Sequence, residues 1–585
     1  MLIERINNPT DLKGFSEKEC ELLAGEIREA IISKTSKTGG HLSSNLGIVE
    51  ATIALHYVFN SPVDKIVFDT SHQCYTHKIL TGRGRAYTDE TCYKDVSGYT
   101  NPSESEHDFF KFGHTSTSIS LACGMAKARD LQNEKYNVIA VIGDAALCGG
   151  EALEGLNYAG AELKSNLIVV LNDNQMSIAE NHGGFFNVLK NLRDNKGNGK
   201  CNLFTEMGFR YHFVENGNDI YSLIDVFSEV KDSSAPVIVH ICTKKGKGFA
   251  LAEDYAEDTH FIKPFSRDLK TIDHDIPNER YDILARNLLI DKMNRDSRVV
   301  AITAAMPVVL SLFGDFRDRI GRQYIDVGIA EEAAVSMAGG MAANGGKPVV
   351  FTRATFFQRA YDQISQEICI NNLPITMLLI NGSVYAPTDM THIGIFCIAM
   401  MSNIPNLVML APTNKQEYLK MLEWSIEQNQ YPVAIFPPRN GVYNAETETE
   451  DDYSNLNKFK LQKKGNKVAI IAAGDFYQMG EDVVKLLDEQ LEITASLINP
   501  RYLSGLDEDM LSQLSKTHDI IVTLEDGILD GGFGQKVAAF YGQYNVCVMT
   551  YGLKKAFYDN YDVDKVLTEN RLKPDMIVED IKRQL

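Results

Sequence analysis

The sequence predicts an α/β protein with three successive segments, each built on a mainly parallel, doubly wound sheet. Short apolar runs alternate with helical patterns along almost the whole chain, which is typical of parallel strands joined by crossover helices. The chain of 585 residues is also too long for one hydrophobic core, because single cores stop growing near about 250–300 residues.

The first segment covers residues 1–265. Ser16 and Glu19 occupy capping-box positions at the start of a helix predicted to run to Ile32. The apolar face of that helix is predicted to contain Leu22, Leu23, Ile27 and Ile31. Apolar runs that predict strands begin at Val138, Leu167 and Val237. A polar loop is predicted at Asp194–Gly199.

Two charged stretches separate this segment from the next two. Ser266–Glu279 lacks apolar periodicity and predicts a linker to a second segment over residues 280–445. The acidic stretch Glu446–Asp452 predicts a linker to the third, residues 454–585. Strands of the second segment are predicted at Val299–Thr303, Tyr324–Ile329, Val349–Thr352, Ile375–Ile380, Leu407–Leu410 and Val433–Phe436. Those of the third are predicted at Val468–Ala472, Ile493–Ile498, Ile520–Leu524 and Val546–Thr550.

Composition excludes several classes of partner. The net charge of −20 argues against nucleic acid or an anionic membrane. No apolar run approaches the roughly 20 residues that span a bilayer. Ten cysteines, scattered without paired spacing, predict reduced thiols rather than disulfides or zinc ligands. We therefore expect a cytoplasmic protein without nucleic-acid or membrane partners.

Polar residues follow two neighbouring predicted strands of the first segment. One strand ends in Gly143-Asp144 and the next in Asn172-Asp173-Asn174. The carboxyl ends of adjacent parallel strands meet at one sheet edge, where α/β proteins bind ligands. A carboxylate, an amide and carbonyls there suit Mg²⁺ with a phosphate ester. The alternative is that Asp144 only caps the following helix.

Six histidines lie in small, polar or glycine-rich contexts and indicate a cleft that binds anions and moves protons. They are His41, His72, His77, His114, His260 and His392. A single histidine is more often structural, and no helical histidine pair indicates a metal site. The motif GHTSTS allows close backbone approach to a ring or phosphate, but it equally fits a helix start with hydroxyl caps.

Two glutamates stand at the start of a small-residue helix in the second segment. Glu331 and Glu332 are flanked by Ile329 and Ala330 on one side and by alanines on the other, so one carboxyl is expected to be buried. Burial raises a carboxyl pKa and lets the group share a proton with a ring nitrogen. The alternative is ordinary compensation of the helix dipole.

The ordered motifs resemble the thiamine-diphosphate enzymes of the transketolase superfamily, and within it the 1-deoxy-D-xylulose-5-phosphate synthases. The resemblance covers nearly the whole chain. Each motif alone is weak, but the ordered series is highly specific. It consists of GGHLSSNLG, HQCYTHKILTGR, SGYTNPSESEHDFF, GHTSTS, GD with NDNQMSI, TKKGKGF with TH, DVGIAE, ATFFQRAYDQ, THIG and EDGILDGGFG.

The resemblance implies thiamine diphosphate and Mg²⁺ as cofactors. Mg²⁺ would be held by Asp144, Asn174 and the backbone carbonyl of Met176. Glu331 would share a proton with the aminopyrimidine ring, on which Phe356 would stack. Other residues that match the cofactor and donor site are His41, His72, His114, Ser116, Ala145, Ala146, Lys245, His260 and His392; among these, His41, His260 and His392 join Glu331 as candidate catalytic residues.

The resemblance also implies an activity and an assembly. A two-carbon unit from pyruvate would be joined, with loss of CO₂, to glyceraldehyde 3-phosphate. The product, 1-deoxy-D-xylulose 5-phosphate, is a precursor of isoprenoids, thiamine and pyridoxal. The third segment would be structural and would support a homodimer.

Several positions depart from the family pattern. The family's Gly-Asp-Gly ends here in Ala145, and its Gln-His after the glutamate is replaced by Glu332-Ala333. On the acceptor side, Asn381 replaces an arginine that binds the acceptor phosphate, and Thr388 replaces an aspartate.

Three arginines remain as candidate substrate-binding residues. Arg439 matches the family's second phosphate-binding arginine, Arg353 stands where the family has tyrosine, and Arg359 lies close by in the sequence. Arg353 and Arg439 are predicted to rebuild a phosphate clamp, because paired guanidinium groups suit phosphate. The alternative is that Arg353 faces solvent and the acceptor differs.

Two other functions stay open at this point. One is a diverged paralogue or a transketolase-like enzyme with another acceptor or a ketol donor. The other is a cofactor-binding protein that has lost turnover. Retention of Asp144, Asn174 and Glu331 argues against the second alternative.

Overall fold

Three sheets organise the chain, and most of their strands are parallel. The computed structural model describes residues 1–199, 201–272, 279–444 and 449–585. Residues 273–278 and 446–448 of the predicted linkers, and residue 445, lie outside the described residues. The chain forms two compact units: Met1–Ile276 with Gly328–Ala330, and Pro277–Val327 with Glu331–Leu585.

The first sheet belongs to the first unit and is parallel throughout, in the order β1-β2-β3-β5-β4. Its strands are β1 Lys65–Phe68, β2 Val138–Gly143, β3 Ile168–Asp173, β4 Arg210–Val214 and β5 Val237–Cys242. Its helices are α1 Glu17–Thr38, α2 Ser43–Gly47, α3 Val49–Val58, α4 Tyr75–Lys78, α5 Arg85–Thr88, α6 Ser118–Leu131, α7 Asp144–Leu147, α8 Gly150–Tyr158, α9 Gly184–Asp194, α10 Leu203–Glu206, α11 Ile220–Val230 and α12 Ala250–Asp254. The central strands β2 and β3 are almost wholly buried, as expected when helices cover both faces.

Helix α1 confirms its predicted start. Ser16 accepts a hydrogen bond from the Glu19 backbone N–H, and the Glu19 carboxylate accepts one from the Ser16 N–H. The predicted face was wrong at Leu22, which is 58% exposed, whereas Leu23 and Ile27 are fully buried. Adjacent residues on a helix point about 100° apart, so Leu22 and Leu23 cannot share one narrow face.

The second sheet is also parallel and has the order β10-β11-β9-β8-β6-β7. Its strands are β6 Val299–Thr303, β7 Tyr324–Asp326, β8 Lys347–Arg353, β9 Thr376–Ile380, β10 Val408–Leu410 and β11 Val433–Ile435. Its helices are α13 Tyr281–Arg295, α14 Gly314–Ile320, α15 Glu331–Ala343, α16 Cys397–Met401 and α17 Lys415–Glu427.

The third sheet lies in the same unit as the second and has the order β12-β14-β13-β15-β16, with only β12 antiparallel. Its strands are β12 Lys460–Lys463, β13 Lys467–Ala472, β14 Ser496–Asn499, β15 His518–Ile528 and β16 Cys547–Leu553. Its helices are α18 Tyr477–Leu491, α19 Glu508–Leu514, α20 Phe533–Tyr541, α21 Val563–Glu569 and α22 Pro574–Gln584. One cluster of buried apolar residues includes side chains from both sheets.

The fold class is therefore confirmed. The apolar runs correspond to strands of all three sheets, with ends that differ by a few residues. Strands β1, β4 and β12 were not predicted from the sequence. All ten cysteines are free thiols. In the described part of the chain, no helix combines the length and apolar character that crossing a membrane requires.

Candidate active site

Asp144 is the first residue of helix α7, directly after strand β2. Its Oδ2 accepts hydrogen bonds from the Gln175 backbone N–H at 2.7 Å and from Asn181 Nδ2 at 3.0 Å. Both donors belong to the loop after β3, the neighbouring strand. The carboxylate therefore links two strand ends, so capping its own helix is not its only role.

The loop after β3 supplies the other predicted metal ligands. Asn174 Oδ1 accepts a hydrogen bond from the Met176 backbone N–H at 3.1 Å. Neighbouring Asp173 is ion-paired with Arg193 and accepts a hydrogen bond from His240 Nε2 at 2.9 Å. Burial would raise the pKa of Asp173, but His240 and Arg193 hold it below its usual value. Asp173 thus fixes the loop after β3 through Arg193 and His240, and it carries a negative charge.

The charge at this edge fits a divalent cation. Burial, and then the charge of Asp173, raise the pKa of Asp144 well above its usual value. A bound cation offsets such a cost by stabilising the carboxylate. The available donors are a carboxylate, an amide and a carbonyl, the oxygen ligands that Mg²⁺ prefers. Within residues 1–199, 201–272, 279–444 and 449–585, no group of three His, Cys, Asp or Glu side chains could hold a metal ion.

Three predicted histidines form one cluster. The ring centroids of His41 and His72 lie 5.1 Å apart, those of His41 and His260 5.5 Å, and those of His72 and His260 5.2 Å. Phe261 and Tyr99 pack against His41 at 5.1 and 5.6 Å. Motifs that are far apart in the sequence therefore meet at one place in the first unit.

Asn45 holds two of these histidines in place. Its Nδ2 donates to the backbone carbonyls of His41 and His72, both at 2.8 Å. Its Oδ1 accepts from the Tyr75 backbone N–H at 3.0 Å. Every polar group of this buried side chain is used, so Asn45 fixes the positions of the two histidine backbones.

Lys245 lies near the same cluster. Its Nζ donates to the Ser177 carbonyl at 2.5 Å, and burial lowers its pKa to about 8. Burial, then the charges of Lys245, His72 and His41, lower the pKa of His260 well below its usual value. His260 is therefore neutral at physiological pH, and its buried Nδ1 has no hydrogen-bond partner in the described structure.

Asp69 shapes the loop that carries His114 and Ser116. Its Oδ1 and Oδ2 accept hydrogen bonds from the Ser116 and Ser118 backbone N–H groups at 2.8 and 3.0 Å. Ser116 has a φ of 73°, and its hydroxyl donates to the Ala146 carbonyl at 2.7 Å. The start of helix α6 is thus bound by Asp69, and its N-cap Thr117 makes no side-chain cap. Ala145 and Ala146 lie on helix α7 beside Asp144.

Glu331 begins helix α15 in the second unit and is only 6% exposed. Its Oε2 is buried and accepts no hydrogen bond within the described structure. Arg359 Nη1 lies 3.9 Å from this oxygen. Burial raises the pKa of Glu331 to about 7, and Arg359 opposes that rise. Of the two predicted glutamates, Glu331 is the buried one, and it can hold or release a proton near neutral pH.

Phe356 and His392 form a second pair of predicted residues. Their ring centroids lie 5.6 Å apart at an interplanar angle of 71°. His392 Nδ1 lies 3.1 Å from Asp389 Oδ2, and Asp389 also accepts from the Thr391 N–H at 2.9 Å. Burial alone would raise the pKa of Asp389, but the hydrogen bonds and charge of His392 hold it below its usual value. Asp389 therefore orients the imidazole.

The predicted acceptor residues follow adjacent strands of the second sheet. Arg353 ends β8 and is paired in register with Ile380, so Asn381 comes next at the neighbouring strand end. Arg439 follows β11, which pairs with β9 on its other side. Asn381 has a φ of 62°, and its buried Oδ1 has no hydrogen-bond partner among the described residues.

Electrostatic effects place three arginines in one region. Burial lowers the pKa of Arg439. The charges of Asp282 and Asp475 raise that pKa, and those of Arg280 and Arg353 lower it further. The buried Arg439 Nε has no hydrogen-bond partner in the described structure. Arg280 is ion-paired with Asp282, its neighbour by two residues.

Three positioning residues were missed in the sequence. Asn45 lies inside a quoted motif, but its two carbonyl partners are 4 and 27 residues away. Asp69 ends an apolar strand as Asp144 does, and this parallel was the available signal. Asp389 precedes His392 by three residues, a spacing that favours a local ion pair.

Three family descriptions match the chain. "1-deoxy-D-xylulose-5-phosphate synthase" matches residues 3–201 and 196–243, "Transketolase, pyrimidine binding domain" matches residues 283–443, and "Transketolase, C-terminal domain" matches residues 457–577. A solved transketolase from Campylobacter jejuni is 15% identical and covers 97% of this chain and 100% of its own, with a TM-score of 0.45. That likeness is too weak to add to the family assignment.

Curated relatives match over nearly their full length. The 1-deoxy-D-xylulose-5-phosphate synthase of Alkaliphilus oremlandii is 38% identical and covers 99% of this chain and 98% of its own. That of Clostridium botulinum is also 38% identical and covers 98% of this chain and 99% of its own. The chain belongs to the 1-deoxy-D-xylulose-5-phosphate synthase family of transketolase-type enzymes.

Proposed function

We propose that this enzyme decarboxylates pyruvate and joins the remaining two-carbon unit to glyceraldehyde 3-phosphate, giving 1-deoxy-D-xylulose 5-phosphate. The observation that carries the proposal is the buried Glu331 carboxyl, with a pKa of about 7 and an Oε2 free of hydrogen bonds in the described structure. The curated relatives also support the proposal, because they carry the name of this activity and match this chain over nearly its full length. The net reaction consumes one proton and releases CO₂.

The residues of the first unit fit the metal and diphosphate end of thiamine diphosphate. We propose that Asp144, Asn174 and the Met176 carbonyl hold Mg²⁺, since these donors are all oxygens. The diphosphate would be met by Lys245 and the loops held by Asp69 and Asn45. Further candidates at this end are His72, His114, Ser116, Ala145 and Ala146. When bound, thiamine diphosphate supplies the electron sink for cleaving and forming carbon–carbon bonds.

The residues of the second unit fit the pyrimidine ring. Glu331 Oε2 would exchange a proton with a ring nitrogen, because a carboxyl with a pKa near neutrality serves as donor and acceptor. Arg359 would limit how far that pKa rises. Phe356 would stack on the ring. His392, oriented by Asp389, would move protons at its Nε2, and His41 and His260 are candidates for the same task.

The acceptor phosphate would bind between Arg353 and Arg439. Support comes from their places after β8 and β11, on either side of the strand that ends before Asn381. A charged phosphate satisfies buried guanidinium donors such as the Arg439 Nε. Arg353 would replace the arginine that the family carries at the position of Asn381.

The assembly and location stay proposals. We propose a cytoplasmic homodimer with three domains over residues 1–265, 280–445 and 454–585. The third family match, residues 457–577, supports the last boundary.

One experiment tests the proposed reaction. Purified protein is given pyruvate, Mg²⁺ and thiamine diphosphate, with and without glyceraldehyde 3-phosphate, and CO₂ release and product mass are followed. We expect 1-deoxy-D-xylulose 5-phosphate, and its loss in Glu331→Ala. The matched control is Glu332→Ala, which removes the neighbouring carboxyl and should retain activity. CO₂ release without that product would point to another acceptor, and cofactor binding without CO₂ release would contradict enzymatic activity.

A further inference from the structure

The third segment contributes two buried carboxyl groups to loops of the second sheet. Asp475 follows β13 and Asp526 lies on β15, the strand paired with it. Asp475 accepts hydrogen bonds from the backbone N–H groups of Arg439, at 2.8 and 2.9 Å, and Asn440, at 2.9 Å. Asp526 Oδ1 accepts from the Val384 N–H at 2.9 Å. Each carboxyl thus holds a loop that follows a different strand of the second sheet.

The two carboxyl groups also influence each other's pKa. The Ser383 side chain lowers the pKa of both carboxyl groups. Burial, and then the charge of Asp475, raise the pKa of Asp526 well above its usual value, and burial raises that of Asp475. Asp526 Oδ2 is buried and accepts no hydrogen bond from the described residues. Two adjacent buried carboxylates cannot both stay ionised, so the stable state has one proton between them.

The proton belongs mainly on Asp526. Asp475 already accepts bonds from two backbone N–H groups, which stabilise a carboxylate. Asp526 accepts one, and its second oxygen has no donor in the described structure. A protonated Asp526 can donate from Oδ2 to Asp475 and satisfy both groups.

We propose that Asp475 and Asp526 share one proton, and that this pair positions the Val384 and Arg439 loops for the acceptor substrate. The acceptor role of Arg439 rests on the function proposed above. Both aspartates are positioning residues, because they act through the loops they hold. The third segment would thereby help to set acceptor affinity.

Other contacts tie the same loop to the third segment. The Tyr561 hydroxyl donates to the Val384 carbonyl at 2.9 Å, and the Asn560 N–H donates to the Thr388 carbonyl at 3.0 Å. The Met390 N–H donates to Asp559 at 3.2 Å. These neutral or singly charged contacts hold the ends of the loop, so a change at the carboxyl pair is expected to act locally at Val384 and Arg439.

The titratable groups that face the pair do not compete for its proton near neutral pH. They are Arg439, Tyr281, Tyr385, Tyr443 and Tyr561. Burial raises the pKa of each tyrosine, so all four stay neutral, and Arg439 stays charged. When pH rises far enough to remove the shared proton, two carboxylates repel each other in a dry site. The acceptor KM should then rise while the pyruvate KM stays constant.

Asp526→Asn removes the titratable proton but keeps the size and hydrogen bonds of the side chain. The amide can donate to Asp475 and accept from the Val384 N–H, with no proton to lose. We expect an acceptor KM within about twofold of wild type at neutral pH, without the rise at higher pH. Asp475→Asn should raise the acceptor KM about tenfold at every pH, because its amide N–H₂ would face backbone donors.

Glu525→Gln is the matched control. Glu525 is also buried beside Asp526 on β15, but it accepts from the Phe533 and Gly534 N–H groups at 2.8 and 2.7 Å. This variant should retain the wild-type rise of acceptor KM with pH. The proposal is overturned if Asp526→Asn keeps the wild-type profile, or if Glu525→Gln abolishes it too.

Hydrogen exchange tests the pair without any assay of turnover. After correction for intrinsic rates, wild-type amides of Val384, Arg439 and Asn440 should lose protection as pH rises, and those of Asp526→Asn should keep it. Constant wild-type protection would overturn the proposal even if a variant failed to fold. If exchange behaves as expected but no 1-deoxy-D-xylulose 5-phosphate forms, the proposed reaction fails and the carboxyl pair stands.

Discussion

The first unit and the second unit differ in how their candidate site residues are held. In the first, Asp144 and the histidine cluster are fixed by side chains of the same segment, such as Asn45 and Asp69. In the second, Glu331 stands without a hydrogen bond at Oε2 in the described structure, and the acceptor loops are held by the third segment. The candidate metal site is thus held by contacts within one segment, whereas the loops proposed to bind the acceptor depend on contacts from the third segment.

Sequence departures follow the same division. The resemblance implies that the proposed metal-site positions keep the family's residues apart from Ala145, a small change beside Asp144. On the proposed acceptor side, the resemblance implies that Asn381 replaces an arginine and that Arg353 replaces a tyrosine. Arg353 and Asn381 lie at adjacent strand ends, so the proposed relocation of the charge requires no change in the sheet.

Removing the charge of Asp144 should have the largest effect. Asp144→Asn takes away the carboxylate proposed to bind Mg²⁺, so affinity for thiamine diphosphate with Mg²⁺ should fall by more than the about 10–100-fold typical of a lost metal-supporting contact. Calorimetric titration measures this. Asp194→Asn, an exposed carboxylate of the same segment, is the control. Unchanged affinity would show that Asp144 does not hold the metal.

Arg353→Ala should have an intermediate effect that is confined to the acceptor. A charge-assisted hydrogen bond is worth about 1.5–3 kcal/mol, so the KM for glyceraldehyde 3-phosphate should rise about 10–100-fold. Steady-state kinetics with each substrate varied in turn should give an unchanged pyruvate KM. Arg295→Ala, an exposed arginine of helix α13, is the control. An unchanged acceptor KM would contradict the relocated phosphate clamp.

The smallest change in a measured quantity is expected in the unfolding temperature. The pKa of Glu331 in the folded protein is about 7, against an ordinary 4.5. The contribution of this group to the free energy of unfolding is therefore fully present below pH 4.5 and is lost as pH rises through about 7. The shift corresponds to roughly 3 kcal/mol. Glu331→Gln has no proton to lose. It should unfold a few degrees higher than wild type at pH 8, and at the same temperature as wild type at low pH. Thermal unfolding at both pH values measures this.

Glu332→Gln, whose carboxyl is only half-buried, provides the comparison for that measurement. It should follow the wild-type pH dependence. If Glu331→Gln were no more stable than wild type at high pH, the buried carboxyl would not be the strained group that its environment indicates.

The sequence predicted the sheets well because parallel strands with helices on both faces are continuous apolar runs. The strands it missed, β1, β4 and β12, all lie at sheet edges. They are short or polar: β1 has four residues, and β12 has the sequence KLQK.

The sequence predicted the burial of a site residue where its flanking residues indicate it, but it could not identify partners that are distant along the chain. Glu331 is buried as its small flanking residues indicated. Asp69 was missed because its donors lie 47 and 49 residues away. The partnership of Asp475 and Asp526 arises only when β13 and β15 pair. Such contacts depend on topology, which local spacing does not encode.

Asn45 has a consequence for how this protein can be changed by recombination. One amide group joins the backbones of His41 and His72 and receives the Tyr75 N–H, so three chain positions share a single buried anchor. A chimera with a crossover between Asn45 and His72 would take Asn45 from one parent and the His72 carbonyl and Tyr75 N–H that it binds from the other. Library designs should therefore transfer residues 41–75 as one block.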